Sequence, residues 1–215
     1  MGGKRGAGRS GPGNKRSLRV AAALLAGVAV LSMLSSAVLG ASGAVPTAPV
    51  FIGLDVDNYY FWQMIFILPL IFAVWVLASA VLMAFGAGSF DRRAVLAEAA
   101  VAWGLPLLFA WVPSAVQAAL MALGMGQAEW VDILSEPGLW QALYLATYAA
   151  AAVWAVAGFI RIARTVHTKS WPAALATGLT SAVLAVGTSV LSVSYTHLRA
   201  HETVLDLVCR LLLEK

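Results

Sequence analysis

The chain has 215 residues, of which 61% are hydrophobic and only 11% charged, with a mean hydropathy of +0.84. Soluble domains carry about 25% charged residues, so a globule with a polar coat is excluded. Apolar blocks about twenty residues long predict instead an all-α, polytopic transmembrane helix bundle. The formal net charge of +4 implies no nucleic-acid partner, because the basic residues stand at the ends of those blocks.

Residues 1–18 are rich in Gly, Ser, Lys and Arg, which predicts a basic, disordered tail. Gly6 stands where a myristoylation signal needs Ser or Thr, so no lipid anchor is implied. Arg19 opens the first apolar block, residues 20–39. As a span, about twenty residues rising 1.5 Å each cover the ~30 Å hydrocarbon core. As a secretory signal, the basic start, the core from Val20 to Leu31 and the small residues near Ala44 also fit. The unbroken apolar length favours the anchor, and either reading leaves Asp57 outside.

The second span is expected at residues 60–85. Tyr59, Tyr60, Phe61 and Trp62 suit the outer interface, where amphipathic rings sit at headgroup level. Pro69 lies inside the span, which predicts a kink and makes it a hinge or cavity-wall candidate, with tight packing the plainer account. Asp91 is placed to cap the third span, residues 94–123. Pro106 and Pro113 interrupt that long block, so it should be kinked or tilted, with room for a short interfacial segment at its outer end. Gly124 to Gly138 then read as an outer loop, carrying Glu129, Asp132 and Glu136. The fourth span, 139–160, is rich in alanine and leads into a basic loop. The fifth, 172–191, opens on Pro172, which suits a first helical turn. Gly178, Gly187, Thr180, Ser181 and Thr188 make it rich in small residues, as close helix packing in lipid requires.

The last stretch, 193–215, is set aside. Back-translated, Val193 to Glu202 fits GTC TCT TAT ACA CAT CTC CGA GCC CAC GAG, which resembles the end sequence and adapter of a transposase-made sequencing library. Leu207 onward fits the adapter's far end in the same frame, so this tail is expected to be non-native and the natural C-terminus missing. His197, His201 and Cys209 would otherwise form a loose metal-ligand set. Without them the chain keeps His167 and no cysteine, so neither a metal nor a cofactor is expected.

Basic residues test the threading. Outside the tail they fall at the N-terminus (Lys4, Arg5, Arg9, Lys15, Arg16, Arg19), in the second connection (Arg92, Arg93) and in the fourth (Arg161, Arg164, Lys169). The first and third connections have none. By the positive-inside rule the N-terminus is cytoplasmic and the fifth span ends outside.

Glu98 is the acidic residue inside an apolar block, and such a carboxylate can serve as a proton relay or ion ligand. It lies within ~9 Å of the inner boundary, however, where a structural pairing with Arg161 or Arg164 is the favoured reading. Gln63, Gln117 and Gln141 could line an outer vestibule, although interhelical hydrogen bonding is plainer. Asp55 and Asp57 lack the further oxygen ligands of a cation site, and Ser189 lacks an intramembrane histidine to activate it. No phosphate-binding glycine loop is present, and no catalytic residue is assigned.

Tyr59-Tyr60-x-Trp62-Gln63, Phe66, Pro69, the GxGSF loop from Gly86 to Phe90, Pro106 and the S-W-x-A-A turn from Ser170 to Ala174 together resemble bacterial members of the Yip family. These polytopic proteins are named for the Ypt/Rab-interacting proteins. The resemblance covers roughly residues 45 to 191 and implies five spans and an adaptor rather than an enzyme. The large cytosolic N-terminal region of eukaryotic members has no counterpart in the short tail, so Rab binding does not carry over. The resulting expectation is a non-enzymatic adaptor or scaffold of the bacterial inner membrane. It would contact the lipid bilayer and other membrane proteins or itself, with no small-molecule ligand identifiable. The alternative is a small permease or transporter subunit using Glu98 and proline-kinked helices.

Overall fold

A computed structural model describes residues 12–45, 59–86, 90–165, 170–185 and 187. Among them the chain forms α1 (Pro12–Ala41), α2 (Tyr59–Ala84), α3 (Arg92–Ala122), α4 (Gln127–Ser135), α5 (Leu139–Thr165) and α6 (Trp171–Ala185). Four of these, over Leu18–Ala41, Tyr59–Ala84, Arg92–Ala122 and Leu139–Arg164, are long and apolar enough to cross a membrane. The fold is therefore an all-α, multi-span membrane helix bundle. Of the five expected spans the described residues give four of full length: α6 is a shorter apolar helix over its described residues, about 22 Å against a ~30 Å core. The rest of the expected fifth span, and the tail 193–215, lie outside the described residues.

α3 is the hub, packing on α1, α2 and α5. It runs parallel to α1. Leu24 and Leu25 meet Gly104, Trp111 Nε1 donates to Ser35 Oγ at 2.9 Å, and Leu39 shares a buried cluster with Ala118 and Met121. α2 runs the other way, so Ser36 Oγ donates to Gln63 Oε1 at 3.0 Å near one end. Near the other end Trp75 Nε1 donates to the Leu96 carbonyl at 2.9 Å. α5 is also antiparallel to α3, with Gly158 against Ala102 and the Phe109 and Trp154 rings in edge contact at 6.3 Å.

Close approach of these helices depends on small side chains, since lipid tails supply no hydrophobic drive between apolar helices. The buried face of α6 is Ala174, Thr177, Gly178, Ser181, Ala182 and Ala185, an i, i+3, i+4 stripe. A Cβ on Gly178 would stand 2.5 Å from Ile160 Cγ1 and 2.8 Å from its Cα. Thr180 is exposed on the opposite side, and nothing lies within 4 Å of a Cβ built on Gly187. Thr188 lies outside the described residues.

Three local expectations are corrected. α1 begins at Pro12, so residues 12–18 of the expected disordered tail are helical; proline suits that first position because its missing N–H has no intrahelical acceptor there. Pro106 and Pro113 do not interrupt α3, which runs unbroken for 31 residues, about 46 Å and longer than the hydrocarbon is thick. The outer loop 124–138 contains α4, a short helix whose Trp130 is buried against Leu39, Tyr60, Ala118 and Met121.

Candidate functional site

The antiparallel threading gathers charge by sign. Arg19 at the start of the first span, Arg92 and Arg93 at the start of α3, and Arg161 and Arg164 at the end of α5 share one end of the bundle. Glu129, Asp132 and Glu136, all exposed, belong to α4 and its exit at the other end. Asp91 caps α3, its side chain accepting from the Arg93 N–H at 2.9 Å.

At the basic end Arg161 Nη2 donates to Glu98 Oε2 at 2.7 Å, bridging α5 and α3. The two side chains are 66% and 46% exposed, so the pair lies on the bundle's outer surface and not in its interior. A residue three positions further on, on the neighbouring strip of α5, Arg164 places its guanidinium 4.8 Å from the centre of the Trp171 ring on α6. Ser170, in the S-W-x-A-A turn, accepts the first backbone bond of α6 from Ala174.

The remaining polar contacts between helices act as glue. Besides Ser36–Gln63, Trp111–Ser35 and Trp75–Leu96, Gln127 Nε2 donates to the Val45 carbonyl at 3.0 Å and ties α4 to the exit of α1. Gln117 is buried on α3, and Gln141 lies half-buried on α5. Two atoms stand apart: Trp103 Nε1 and Gln127 Oε1 are buried with no hydrogen-bond partner in the structure.

The residues singled out from the sequence do not converge. Tyr60 is buried, packing with Leu39, Ala118, Met121 and Trp130, and is not spread at the lipid interface. Phe61 takes the outward position, and Trp62 stacks on Phe66 at 6.0 Å one turn along. Pro69 is exposed on α2, whereas Pro106 is buried on α3. Glu98 lies at the opposite end of the bundle from Tyr60 and Gln63. Asp55, Asp57, His167, Ser189 and residues 87–89 of the GxGSF loop lie outside the described residues. Among the described residues no group of three or more His, Cys, Asp or Glu is placed to hold a metal.

Sequence reasoning missed the tryptophan bonds and the Arg164–Trp171 stack. An indole N–H inside an apolar block needs an acceptor, which signals a bond but does not say to which helix. Comparisons with protein-family descriptions, curated proteins and solved structures find no match.

Proposed function

We infer that this chain is a non-enzymatic adaptor or scaffold of the bacterial inner membrane, similar to the Yip family, with its N-terminus in the cytoplasm. The observation that carries this reading is the placement of Glu98. A proton-relay carboxylate faces the interior of a bundle or a water-filled cavity, whereas Glu98 is 46% exposed on the outer surface and bonded to Arg161. The polar contacts between helices then serve assembly, and a large apolar face remains for other membrane components. On α5 Leu139, Trp140, Leu143, Leu145, Val153 and Trp154 are exposed.

In this reading residues 20–39 are a retained first span, not a cleaved signal, supported by the burial of Leu25 and Val28 against the other spans. In the same reading 193–215 is adapter-derived. Amplifying the locus from source DNA should give a different reading after Ser192; the same codons on a native template would refute the artefact reading.

The functional test is E98Q. Unchanged proton-coupled uptake in vesicles, with altered partners after in-membrane crosslinking, is the expected result. Loss of uptake with unaltered partners would transfer the assignment to a permease subunit. Specific turnover surviving purification would overturn the non-enzymatic reading.

A further inference from the structure

The acidic end of the bundle holds a buried amide that the bonds between helices leave aside. Gln117 on α3 is 8% exposed, and among the described residues its amide enters no hydrogen bond. An unpaired amide is unfavourable in such an interior, because it has given up water for nothing. One turn back on the same strip of α3 stands Ser114, which the Tyr148 hydroxyl of α5 reaches, as it does that of Tyr144. One turn on stands Met121, clustered with Tyr60 of α2 and Trp130 of α4, and Tyr144 packs against that cluster. Gln117 is thus flanked by contacts to α2, α4 and α5.

The chemistry of these groups narrows what they can take. Among the described residues every lysine and arginine stands at the opposite end. Glu129, Asp132 and Glu136 are exposed on α4 and its exit, so an anion finds no counter-charge here and meets an acidic rim. The Tyr144 and Tyr148 rings meet edge to face at 5.0 Å, and Tyr148 is 38% exposed. Aromatic walls with a few convergent polar groups are the usual lining of a small-ligand site. An amide and a hydroxyl each donate and accept. The hydroxyls of a sugar do the same, whereas a quinone only accepts and would leave the Gln117 carbonyl unpaired.

We propose that this site binds an uncharged hexosyl group, carried by a glycolipid or free as a sugar, with the Gln117 amide bonding two neighbouring hydroxyls and Ser114 and Tyr148 bonding a third. The level suits a headgroup, because tyrosine and tryptophan mark the water interface of a span, and Tyr60, Trp130 and Tyr144 gather there. The inference stands apart from the adaptor reading, since Glu98, whose exchange tests that reading, lies at the other end of the bundle.

Native mass spectrometry of the full-length chain, delipidated in an amine-oxide detergent that carries no sugar, tests it. The probes are glucosyl diacylglycerol, phosphatidylcholine, methyl glucoside and a short-chain ubiquinone. Wild type should retain one glucosyl lipid with about tenfold preference over phosphatidylcholine, the factor that pairing one buried amide is worth. Q117L should abolish that preference and Y148F should weaken it about threefold. Q63L, which removes an amide already bonded to Ser36, should keep it. Without lipid, Q117L should melt no lower than wild type, because the amide it removes has no partner in the bundle. Parity between the two lipids in wild type overturns the proposal, as does a preference retained in Q117L or lost in Q63L. A lower melting temperature for Q117L, or retention of ubiquinone in place of the glucosyl lipid, overturns it too. Displacement of the lipid by methyl glucoside at equal concentration assigns the site to a free sugar, and failure to displace it assigns a glycolipid; the hexosyl site stands in both.

Discussion

Two tryptophans on the central helices show how much a single donor decides. Trp75 Nε1 reaches the Leu96 carbonyl at 2.9 Å, while Trp103 Nε1 is buried with no partner. Replacing Trp75 by Phe should therefore destabilise the bundle by about 0.5–1.5 kcal/mol, read as a lower melting temperature in detergent. The same change at Trp103 removes an unsatisfied donor and should leave the melting temperature unchanged or raise it. Equal losses at both positions would contradict these hydrogen-bond assignments. Glycines divide in a similar way. Around Gly104 a new Cβ meets side-chain atoms of Leu24 and Leu25, the nearest at 3.0 Å, whereas on Gly178 it meets Ile160 backbone at 2.8 Å. Gly178→Val should thus lower stability by about 1–3 kcal/mol by overpacking, and Gly104→Ala by clearly less. The same thermal measurement compares them.

Proline and capping signals worked differently from element to element. Asp91 begins α3 as its sequence position suggests, because a carboxylate satisfies an N–H that the helix itself cannot. Pro106 and Pro113, by contrast, stay inside an unbroken helix. Each proline removes one backbone bond from a helix of 31 residues, whose other turns carry it on. α4 was hidden in the sequence, since nine residues with a glutamate and an aspartate resemble a polar loop. Its helix is held by tertiary contact, chiefly Trp130 against Leu39, Tyr60, Ala118 and Met121. Trp130→Ala should release this short helix while the four spans persist. Faster proteolysis between residues 124 and 138, with unchanged total helicity to within about ten residues, is the expected result.

For the molecule as a whole, the charge separation predicts opposite labelling of the two ends. With Cys209 replaced by Ser, E136C should react with an impermeant maleimide in intact cells, and R93C should react only after lysis. Reversed labelling would invert the threading. A pair at Ser36 and Gln63, whose side chains meet at 3.0 Å, should crosslink when both are cysteine, confirming that α1 remains in the mature bundle. Failure to crosslink in a folded protein would favour cleavage before α2.

Apolar block length and the placement of lysine and arginine were readable directly, because the bilayer acts on each segment separately: hydrocarbon thickness sets span length, and membrane charge asymmetry sets which connections are basic. Those two constraints were enough for an all-α bundle with its basic residues at one end. Facing was not readable, because a span bathed in lipid is apolar on all sides and carries little amphipathic signal. Whether Tyr60 turns inward or Pro69 outward, and which of the two expected arginines takes Glu98, depends on what neighbours stand at that height. Gly158 and Gly178 allow close approach only once the helices are packed together, and so these contacts belong to the tertiary structure alone.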